Sequence, residues 1–477
     1  MSTPERLSAK LEQLLAAEQR DKRLPSIAAA VARDGEIVWE SAVGMADVEA
    51  GAEATPDTQY RVGSITKTFT AVAIMQLRDA GKLDLEDTLD LHVDGAAHKP
   101  TIRRLLSHAS GLQRETHDDS WLTLRFAPPD ELLETLDAAE MVLAPGARFH
   151  YSNLAYALLG IVVERVSGVP YMDYVRQQLF EPVGLTRLSF ETLPPAAKGY
   201  IAQPYADGVW NAVDVETGAW ASAGQLWGTV GDLCRWGEFL ADPDEAVLAK
   251  KSAEEMRTVQ VIAEHQRWLA GYGLGLILRR DGERILAGHT GSMPGFIAFL
   301  FASPAEKVVA AVLTNESQAM IGDLGLSLVR TTVEEWPVAP ESASRRPAKS
   351  CRSSASGSSR RRRWSSAGAT GSWRHAPPRT PTGSHPRSSS RRPRIAGARS
   401  RGRSTARHCG SCALRTARWS GWSGRDTPSR ANQAPGALQS PSSRYSYWSA
   451  SSTLSFAARR AGQIAARRPT MIAAITK

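Results

Sequence analysis

A serine and a lysine three residues apart, Ser64 and Lys67, are the first residues whose spacing suits catalysis. In a helix, residues three apart share a face, so the Lys67 amine can lie beside the Ser64 hydroxyl. A serine hydroxyl needs an adjacent base to become a nucleophile, and a lysine can serve when burial or nearby positive charge lowers its pKa. A serine at a helix N-terminus also offers its backbone N–H to a developing oxyanion. Alone, the pair is a weak signal, because Ser-x-x-Lys occurs by chance in most chains of this length.

A second group, Tyr151-Ser152-Asn153, directly precedes a predicted helix. Residues two apart in an extended segment point the same way, so the Tyr151 phenol and the Asn153 amide are expected to face one cleft. The phenol would relay a proton, and the amide would hold a substrate carbonyl or Lys67. The alternative is that Asn153 merely caps the helix while Tyr151 packs in the core. For this group taken alone, that alternative is favoured.

The third group is His289-Thr290-Gly291-Ser292, which follows a short predicted strand. A glycine in an edge strand lets a substrate approach the backbone closely, and the Ser292 N–H is a candidate second donor to an oxyanion. A single histidine near a strand end more often has a structural role. This group is therefore also weak in isolation.

The elements that must position these groups start with a helix over residues 4–21, for which Thr3 is the predicted N-cap. Asp34-Gly35 predicts a hairpin between strands at 27–32 and 37–43. Helical patterns follow over residues 64–79 and over most of residues 85–230, most clearly over 153–166.

Strand patterns return in the later part of the chain, before a closing helix at residues 324–336. They lie at residues 271–279, 284–287, 296–302 and 308–314. This order predicts an α/β (α+β) fold, in which helices flank an antiparallel sheet built from both ends of the segment and a large all-helical insertion lies between.

Together and in this order, the three groups resemble the serine β-lactamase superfamily, particularly class C β-lactamases, DD-peptidases and their esterase and D-aminopeptidase relatives. The resemblance covers about residues 5–336 and implies a β-lactamase/transpeptidase-like fold. It is supported by Tyr60-Arg61-Val62-Gly63, residues 101–112, residues 145–153, Tyr272-Gly273-Leu274-Gly275 and Gly288-His289-Thr290-Gly291.

The resemblance implies a role for each candidate residue. Ser64 would form an acyl-enzyme with an ester or amide carbonyl, and Lys67 and Tyr151 would share the base role before activating water for deacylation. Asn153 would bind the substrate's carbonyl or side-chain amide. The rest of the substrate-binding and oxyanion site would be formed by His289, Thr290, Gly291 and Ser292. The backbone N–H groups of Ser64 and Ser292 would form the oxyanion hole.

His289 departs from the pattern of β-lactamases and DD-peptidases, which usually carry a lysine before Thr290-Gly291 to attract a substrate carboxylate. Histidine is shorter and mostly neutral at pH 7, and it occurs here in esterase-like and aminopeptidase-like relatives. The sequence therefore favours a hydrolase of small esters or amides over the alternative, a β-lactamase or D-alanyl-D-alanine carboxypeptidase-type peptidase. His108 is predicted to be a hydrogen-bonded structural residue. No cluster has metal-ligand spacing, so neither a metal nor a cofactor is expected.

The net charge of +9 combines two opposite parts. Residues 342–477 hold 28 Lys/Arg and one acid, Asp426, whereas the rest holds 30 basic and 48 acidic residues. We therefore predict a hydrolase domain over 1–338, with a helical subdomain at about 85–230, and a basic low-complexity tail over 339–477. The tail is interpreted as a frameshift product or, less favoured, as a disordered segment.

Two functional interpretations of the tail remain open. Its arginines and tryptophans could bind nucleic acid, which would make the chain a non-catalytic binding protein, a disfavoured alternative because the catalytic side chains are present. Cys409-Gly-Ser-Cys412 is a weak metal or redox signal without a second pair.

The ends and apolar segments of the chain bear on its location. The N-terminus lacks a basic stretch followed by an apolar run, and no window has the length needed to cross a bilayer. Cys234 is the only cysteine of the acidic part, which suits a reducing compartment. We therefore expect a cytoplasmic protein with a small-molecule substrate and no membrane partner; the sequence leaves its oligomeric state open.

Overall fold

The computed structural model describes residues 2–116, 120–203, 206 and 208–336. The predictions for the basic tail, including Cys409-Gly-Ser-Cys412, lie outside these residues. The strands are β1 (Ser26–Arg33), β2 (Glu36–Asp47), β3 (Ala52–Glu53), β4 (Tyr60–Arg61), β5 (Tyr200–Ala202), β6 (Val209–Asn211), β7 (Trp227–Gly228), β8 (Val261–Ile262), β9 (Ala270–Tyr272), β10 (Ile277–Asp281), β11 (Arg284–Met293), β12 (Phe296–Ser303) and β13 (Val308–Thr314). The helices are α1 (Thr3–Lys22), α2 (Thr66–Asp79), α3 (Ile102–Leu106), α4 (Ser120–Thr123), α5 (Pro129–Glu134), α6 (Asn153–Ser167), α7 (Tyr171–Val175), α8 (Glu181–Val183), α9 (Ala221–Gly224), α10 (Val230–Ala241), α11 (Lys250–Met256) and α12 (Gly322–Glu335).

The main sheet combines strands from both ends of the described chain, in the order β3-β2-β1-β13-β12-β11-β10-β9-β8. The β1–β13 pair joins the ends, with Ile27 opposite Thr314 and Arg33 opposite Val308. The ladders within this sheet are antiparallel. The predicted fold, an antiparallel sheet flanked by helices, is confirmed.

Both faces of the central strands are covered, so their sequences are apolar throughout instead of alternating with polar residues. Ala28, Ala30 and Ala32 of β1 pack in a core shared with α2, α6 and α10. The intervening residues of β1 face a second core, formed with α1 and α12. The sheet therefore separates two helical layers, and α2, which follows Ser64, lies in the first.

The insertion between β4 and β7 is mainly helical and also contains the short β5–β6 ladder. Its longest helix, α6, is apolar on nearly all sides because it is buried against α2, α3 and α9. The helix begins where the Ser152 hydroxyl accepts the Ala155 N–H, and it ends at Gly168 in the left-handed conformation. The idea that Asn153 caps this helix is wrong, since Ser152 does so.

Some boundaries differ from the prediction. Ser2, not Thr3, caps α1, in a capping box with Glu5. Residues 271–279 are not one strand: β9 ends at Tyr272 and β10 begins at Ile277. Gly275 lies at φ +79 in the turn between them, a conformation that glycine adopts readily and that interrupts the ladder.

The strand predicted over residues 284–287 continues as β11 to Met293. The reason is that β12 pairs with it along its whole second half, up to Met293 opposite Phe296. The group from His289 to Ser292 therefore lies within a strand and not after one.

No single helix among the described residues has the length and apolar composition needed to cross a bilayer. Asn153–Ser167 and Tyr171–Val183 meet that requirement only as a pair, which is bent by 79°.

Candidate active site

Ser64 lies in a 3-10 turn, Gly63–Ile65, immediately before α2. Lys67, in the first turn of α2, places its Nζ 3.1 Å from Ser64 Oγ and donates a hydrogen bond to the Ala223 carbonyl at 2.8 Å. Both side chains are buried, and Lys67 has no exposed surface. The structure thus brings together the two residues of the Ser-x-x-Lys motif.

Burial lowers the pKa of Lys67 well below the ordinary value for a lysine. The nearby charge of Glu115 opposes this shift, whereas that of Arg114 adds to it. The cost of an ammonium group in a low-dielectric site favours the neutral amine. A neutral amine beside a serine hydroxyl can accept its proton.

Tyr151 is half-buried at this site, with its ring centroid 5.1 Å from Lys67 Nζ and 5.0 Å from Arg114 Cζ. Its hydroxyl has no hydrogen-bond partner within standard geometry among the described residues. Burial raises the pKa of Tyr151, and interactions with Ser64 and Arg114 partly oppose the rise. Tyr151 is therefore a neutral phenol near pH 7. It can relay a proton, but it is not ionised to a phenolate before the reaction begins.

His108 holds the Tyr151 segment from both sides. Its carbonyl accepts the His150 N–H at 2.8 Å, and its Nδ1 accepts the Ser152 N–H at 3.1 Å. Its ring lies 4.2 Å from the Tyr151 ring, between centroids. Because Nδ1 is an acceptor, the ring is neutral and carries its proton on Nε2. The prediction of a hydrogen-bonded His108 is confirmed.

We expect His108→Leu to lower the free energy of unfolding by about 1–3 kcal/mol, because it leaves the buried Ser152 N–H without an acceptor. His108→Asn should lose clearly less, since its amide oxygen can replace Nδ1 and asparagine tolerates the positive φ of 55° at this position. Urea unfolding of the three proteins measures the difference. Equal stability of the leucine and asparagine variants would contradict this role for Nδ1.

Asn153 is the first residue of α6, and its Nδ2 donates to Glu115 Oε1 at 2.6 Å. Both residues line the cavity that Ser64 also lines. Asn153 thus lines the same cavity as Ser64, but from the first turn of a helix and not from an extended segment. Its amide is already hydrogen-bonded to a carboxylate that sequence reasoning missed.

The second half of β11 is open on the side away from β12. The last β10–β11 pair joins Ile277 to Gly288, whereas pairing with β12 continues to Met293. Strand β11 is thus internal to the sheet along its first half and an edge only from His289 onward. Ser292 on this edge lines the same cavity as Ser64.

Glycines let this edge approach the serine turn. A Cβ on Gly291 would lie 1.8 Å from the Val62 carbonyl oxygen, and one on Gly63 would lie 2.6 Å from Ser292 N. The backbones of residues 62–64 and 291–292 are therefore in direct contact. This contact places the Ser64 and Ser292 backbones at one site, the arrangement that two N–H donors to one oxyanion require.

Gly291→Ala should lower the free energy of unfolding by about 1–3 kcal/mol, because its Cβ would overlap the Val62 backbone and force the strand and the turn apart. Gly231→Ala on α10 is the matched control, since its Cβ meets nothing closer than 3.6 Å and alanine favours a helix. Thermal or urea unfolding compares the two. A Gly291→Ala protein as stable as Gly231→Ala would contradict the tight contact.

His289 is buried, and both of its ring nitrogens have partners. Nδ1 donates to the Thr290 carbonyl, so Nε2 accepts the Tyr272 hydroxyl at 3.0 Å. Burial and the nearby Lys67 lower the pKa of His289 to about 3. The position predicted to contact substrate thus holds a neutral imidazole whose two ring nitrogens are both hydrogen-bonded within the protein.

The cavity walls include residues that the sequence did not single out. Beside Ser64 they are Arg114, Glu115, Trp121, Phe126, Thr217 and Trp220. Arg114 and Glu115 follow closely on the segment 101–112, but no periodicity marks them. The described residues contain no group of three or more His, Cys, Asp or Glu side chains that could hold a metal ion.

Known proteins resemble this chain in sequence. The sequence model of the family described as Beta-lactamase matches residues 11–325. Protein flp of Staphylococcus aureus (strain N315) is 23% identical over 317 residues, which cover 64% of this chain and 62% of that protein. Esterase EstB of Burkholderia gladioli is 34% identical over 221 residues, 42% of this chain and 55% of that protein. The chain thus spans less than two thirds of the length of either relative.

Solved structures share the fold. The octameric penicillin-binding protein homologue from Pyrococcus abyssi has a TM-score of 0.62 at 28% identity, over 68% of this chain and 77% of that one. A D-stereospecific amidohydrolase from Streptomyces sp. has a TM-score of 0.59 at 26% identity, over 70% of this chain and 99% of that one. With the family match covering well over half of its length, the chain belongs to the beta-lactamase family.

Proposed function

We propose that this chain is a serine hydrolase of small esters or amides that works through an acyl-enzyme on Ser64. The observation that carries the proposal is the buried Lys67 amine, 3.1 Å from Ser64 Oγ and low in pKa. A base that is neutral at working pH and already touches the nucleophile is what serine activation requires. The esterase and amidohydrolase among the similar proteins support the same reaction class.

In the proposed acylation, Lys67 takes the proton of Ser64 as Oγ bonds to the substrate carbonyl carbon. The backbone N–H groups of Ser64 and Ser292 stabilise the oxyanion. The proton then passes through Tyr151 to the departing alcohol or amine as its bond to the carbonyl carbon breaks. In deacylation, water loses a proton to the same pair as its oxygen bonds to the acyl carbon. The bond from Ser64 Oγ to that carbon then breaks, Oγ takes the proton back, and the acid leaves.

The proposed preference for esters and amides without a carboxylate rests on His289. Its neutral ring is held by Tyr272 and Thr290, so it supplies no fixed positive charge on this strand. Recognition of a substrate carboxylate at this strand would need such a charge. Ser64-dependent hydrolysis of nitrocefin that exceeded ester hydrolysis would reassign the chain to the β-lactamases proper.

A covalent trapping experiment tests the proposal. The full-length protein is mixed with p-nitrophenyl butyrate for rapid kinetics, and separately with a fluorophosphonate for mass spectrometry. We expect a burst of p-nitrophenol and a single adduct on the tryptic peptide from Val62 to Lys67, which contains Ser64. A folded protein without burst or adduct, or with the adduct on another peptide, would refute the proposed nucleophile.

A further inference from the structure

Arg114 lines the cavity beside Ser64, yet the proposed acyl transfer gives it no role. Its guanidinium lies over the ring of Tyr151, with Cζ 5.0 Å from the ring centroid. The Arg114 carbonyl accepts the backbone N–H groups of Asn153 at 2.9 Å and Leu154 at 3.1 Å, so the first turn of α6 fixes the backbone of this residue. Because only 29% of its side chain is exposed, the guanidinium is held against Tyr151.

The other basic side chains close to Tyr151 favour their neutral forms. In the described part of the chain, those near its ring or next to it in sequence are Lys67, His108, His150 and His289. Burial lowers the pKa of all four groups. A guanidinium, in contrast, keeps its charge at any working pH. Arg114 therefore brings the lasting positive charge to Tyr151 before the reaction begins.

The hydroxyl of Tyr151 is the group on which this charge acts. It is buried and makes no hydrogen bond within standard geometry among the described residues. Burial raises the pKa of Tyr151, because a phenolate is costly in a dry site, and interactions with Ser64 and Arg114 oppose the rise. Glu115, whose Oε1 lies 3.4 Å from Arg114 Nε, acts in the other direction but has a smaller effect than Arg114. Arg114 thus stabilises the negative charge that develops on the phenol oxygen as its proton leaves.

We propose that Arg114 is a positioning residue that acts through Tyr151, because its charge makes the phenol a better proton donor to the leaving group of the substrate. This inference rests on the proposed function, since a leaving group exists only if Ser64 is acylated. As the bond from the carbonyl carbon to the leaving oxygen or nitrogen breaks, the Tyr151 O–H proton passes to that atom. The Lys67 ammonium formed during the attack then returns a proton to Tyr151, so that both residues end neutral.

Two esters of one acid separate this role from a structural one. p-Nitrophenolate is a stable anion that leaves without a proton, whereas an alkoxide such as ethoxide needs one. In Arg114→Gln, the ratio of kcat/KM for ethyl butyrate to kcat/KM for p-nitrophenyl butyrate should fall by about 10- to 100-fold, part of the usual contribution of a general acid. Arg114→Lys keeps a positive charge and should retain most of the ratio. The matched control is Arg148→Gln, which removes an exposed arginine close in sequence to Tyr151 and should keep the wild-type ratio.

A double-mutant cycle links the effect to the phenol. In a Tyr151→Phe background the proton donor is absent, so Arg114→Gln should not change the ratio there. An unchanged ratio in the single variant, a lysine variant as impaired as the glutamine variant, or the same fall in the ratio without the phenol would overturn the inference. If Arg114→Gln does not fold, Arg114→Met removes the charge with an apolar side chain and tests the same ratio.

Mass spectrometry distinguishes this failure from a failure of the proposed function. A fluorophosphonate adduct on Ser64 together with an unchanged ester ratio in Arg114→Gln would remove only the role of Arg114. A folded wild-type protein without an adduct at Ser64 would remove the proposed hydrolase, and with it the leaving group that this inference requires.

Discussion

Ser64→Ala is expected to lower kcat/KM for p-nitrophenyl butyrate by about 10⁴- to 10⁶-fold, the loss typical of removing a catalytic serine. Without Oγ, no acyl-enzyme forms, and the only remaining contributions are substrate binding and the backbone donors. The Ser64 side chain is small and lies in a turn, so the fold should survive its truncation. The measurement is steady-state hydrolysis by the full-length wild-type and variant proteins.

The control for this experiment is Ser327→Ala on α12, where the hydroxyl donates a hydrogen bond to the Asp323 carbonyl. That variant should hydrolyse the ester at the wild-type rate. If Ser64→Ala retained activity within about tenfold of wild type, well short of the expected loss, hydrolysis would belong to another group. The alternative that the chain is a non-catalytic binding protein would then be favoured.

Lys67→Met is expected to lower kcat/KM by about 100- to 10,000-fold, the usual contribution of a positioned general base. Lys67→Arg should be almost as inactive, although it keeps an N–H donor near the Ala223 carbonyl, because a guanidinium does not lose its proton at working pH. In the wild type, kcat/KM should fall on the acid side as the Lys67 amine becomes protonated. An arginine variant with wild-type activity would exclude a role for Lys67 as a base.

The same shift in pKa predicts how stability depends on pH. In the unfolded chain Lys67 keeps its proton up to about pH 10.4, whereas the folded amine loses it at lower pH. Between the folded and the unfolded pKa of Lys67, the unfolded state binds more protons than the folded state. Lys67 therefore makes the free energy of unfolding rise with pH, by up to about 1.4 kcal/mol per pH unit. Lys67→Met should lack this component, which urea unfolding between pH 7 and 10 can measure.

Local patterns made much of the fold predictable. The hairpin at Asp34-Gly35, the apolar run of β13 and the helix that follows Ser152 each follow from residues close in sequence. The placement of Ser64 beside Lys67 was predictable for the same reason, since three residues along a helical segment fix that distance. That the groups at Ser64, Tyr151 and His289 belong to one site was predicted from the resemblance to the serine β-lactamase superfamily and not from local patterns.

Features that depend on distant partners were not predictable from single segments. The β9–β10 turn interrupts an apolar pattern that continues through Gly275, and β11 extends only because β12 pairs with it. Glu115 and Trp220 reach the cavity from separate loops, where no periodicity indicates which way a side chain points. The two-sided contact of His108 with the Tyr151 segment likewise joins parts of the chain that are far apart, since His108 and Ser152 are 44 residues apart.

The contact of residues 62–64 with 291–292 has a consequence for biosynthesis. Ser64 and Lys67, the proposed nucleophile and base, lie in the first fifth of the sequence. The strand that contacts the Ser64 turn is made more than two hundred residues later. A nascent chain that has emerged only as far as α10 therefore exposes Ser64 without its partner backbone. Reactivity toward a fluorophosphonate should thus appear late, so that acylation of Ser64 on ribosome-bound chains of increasing length would report the moment at which β11 docks.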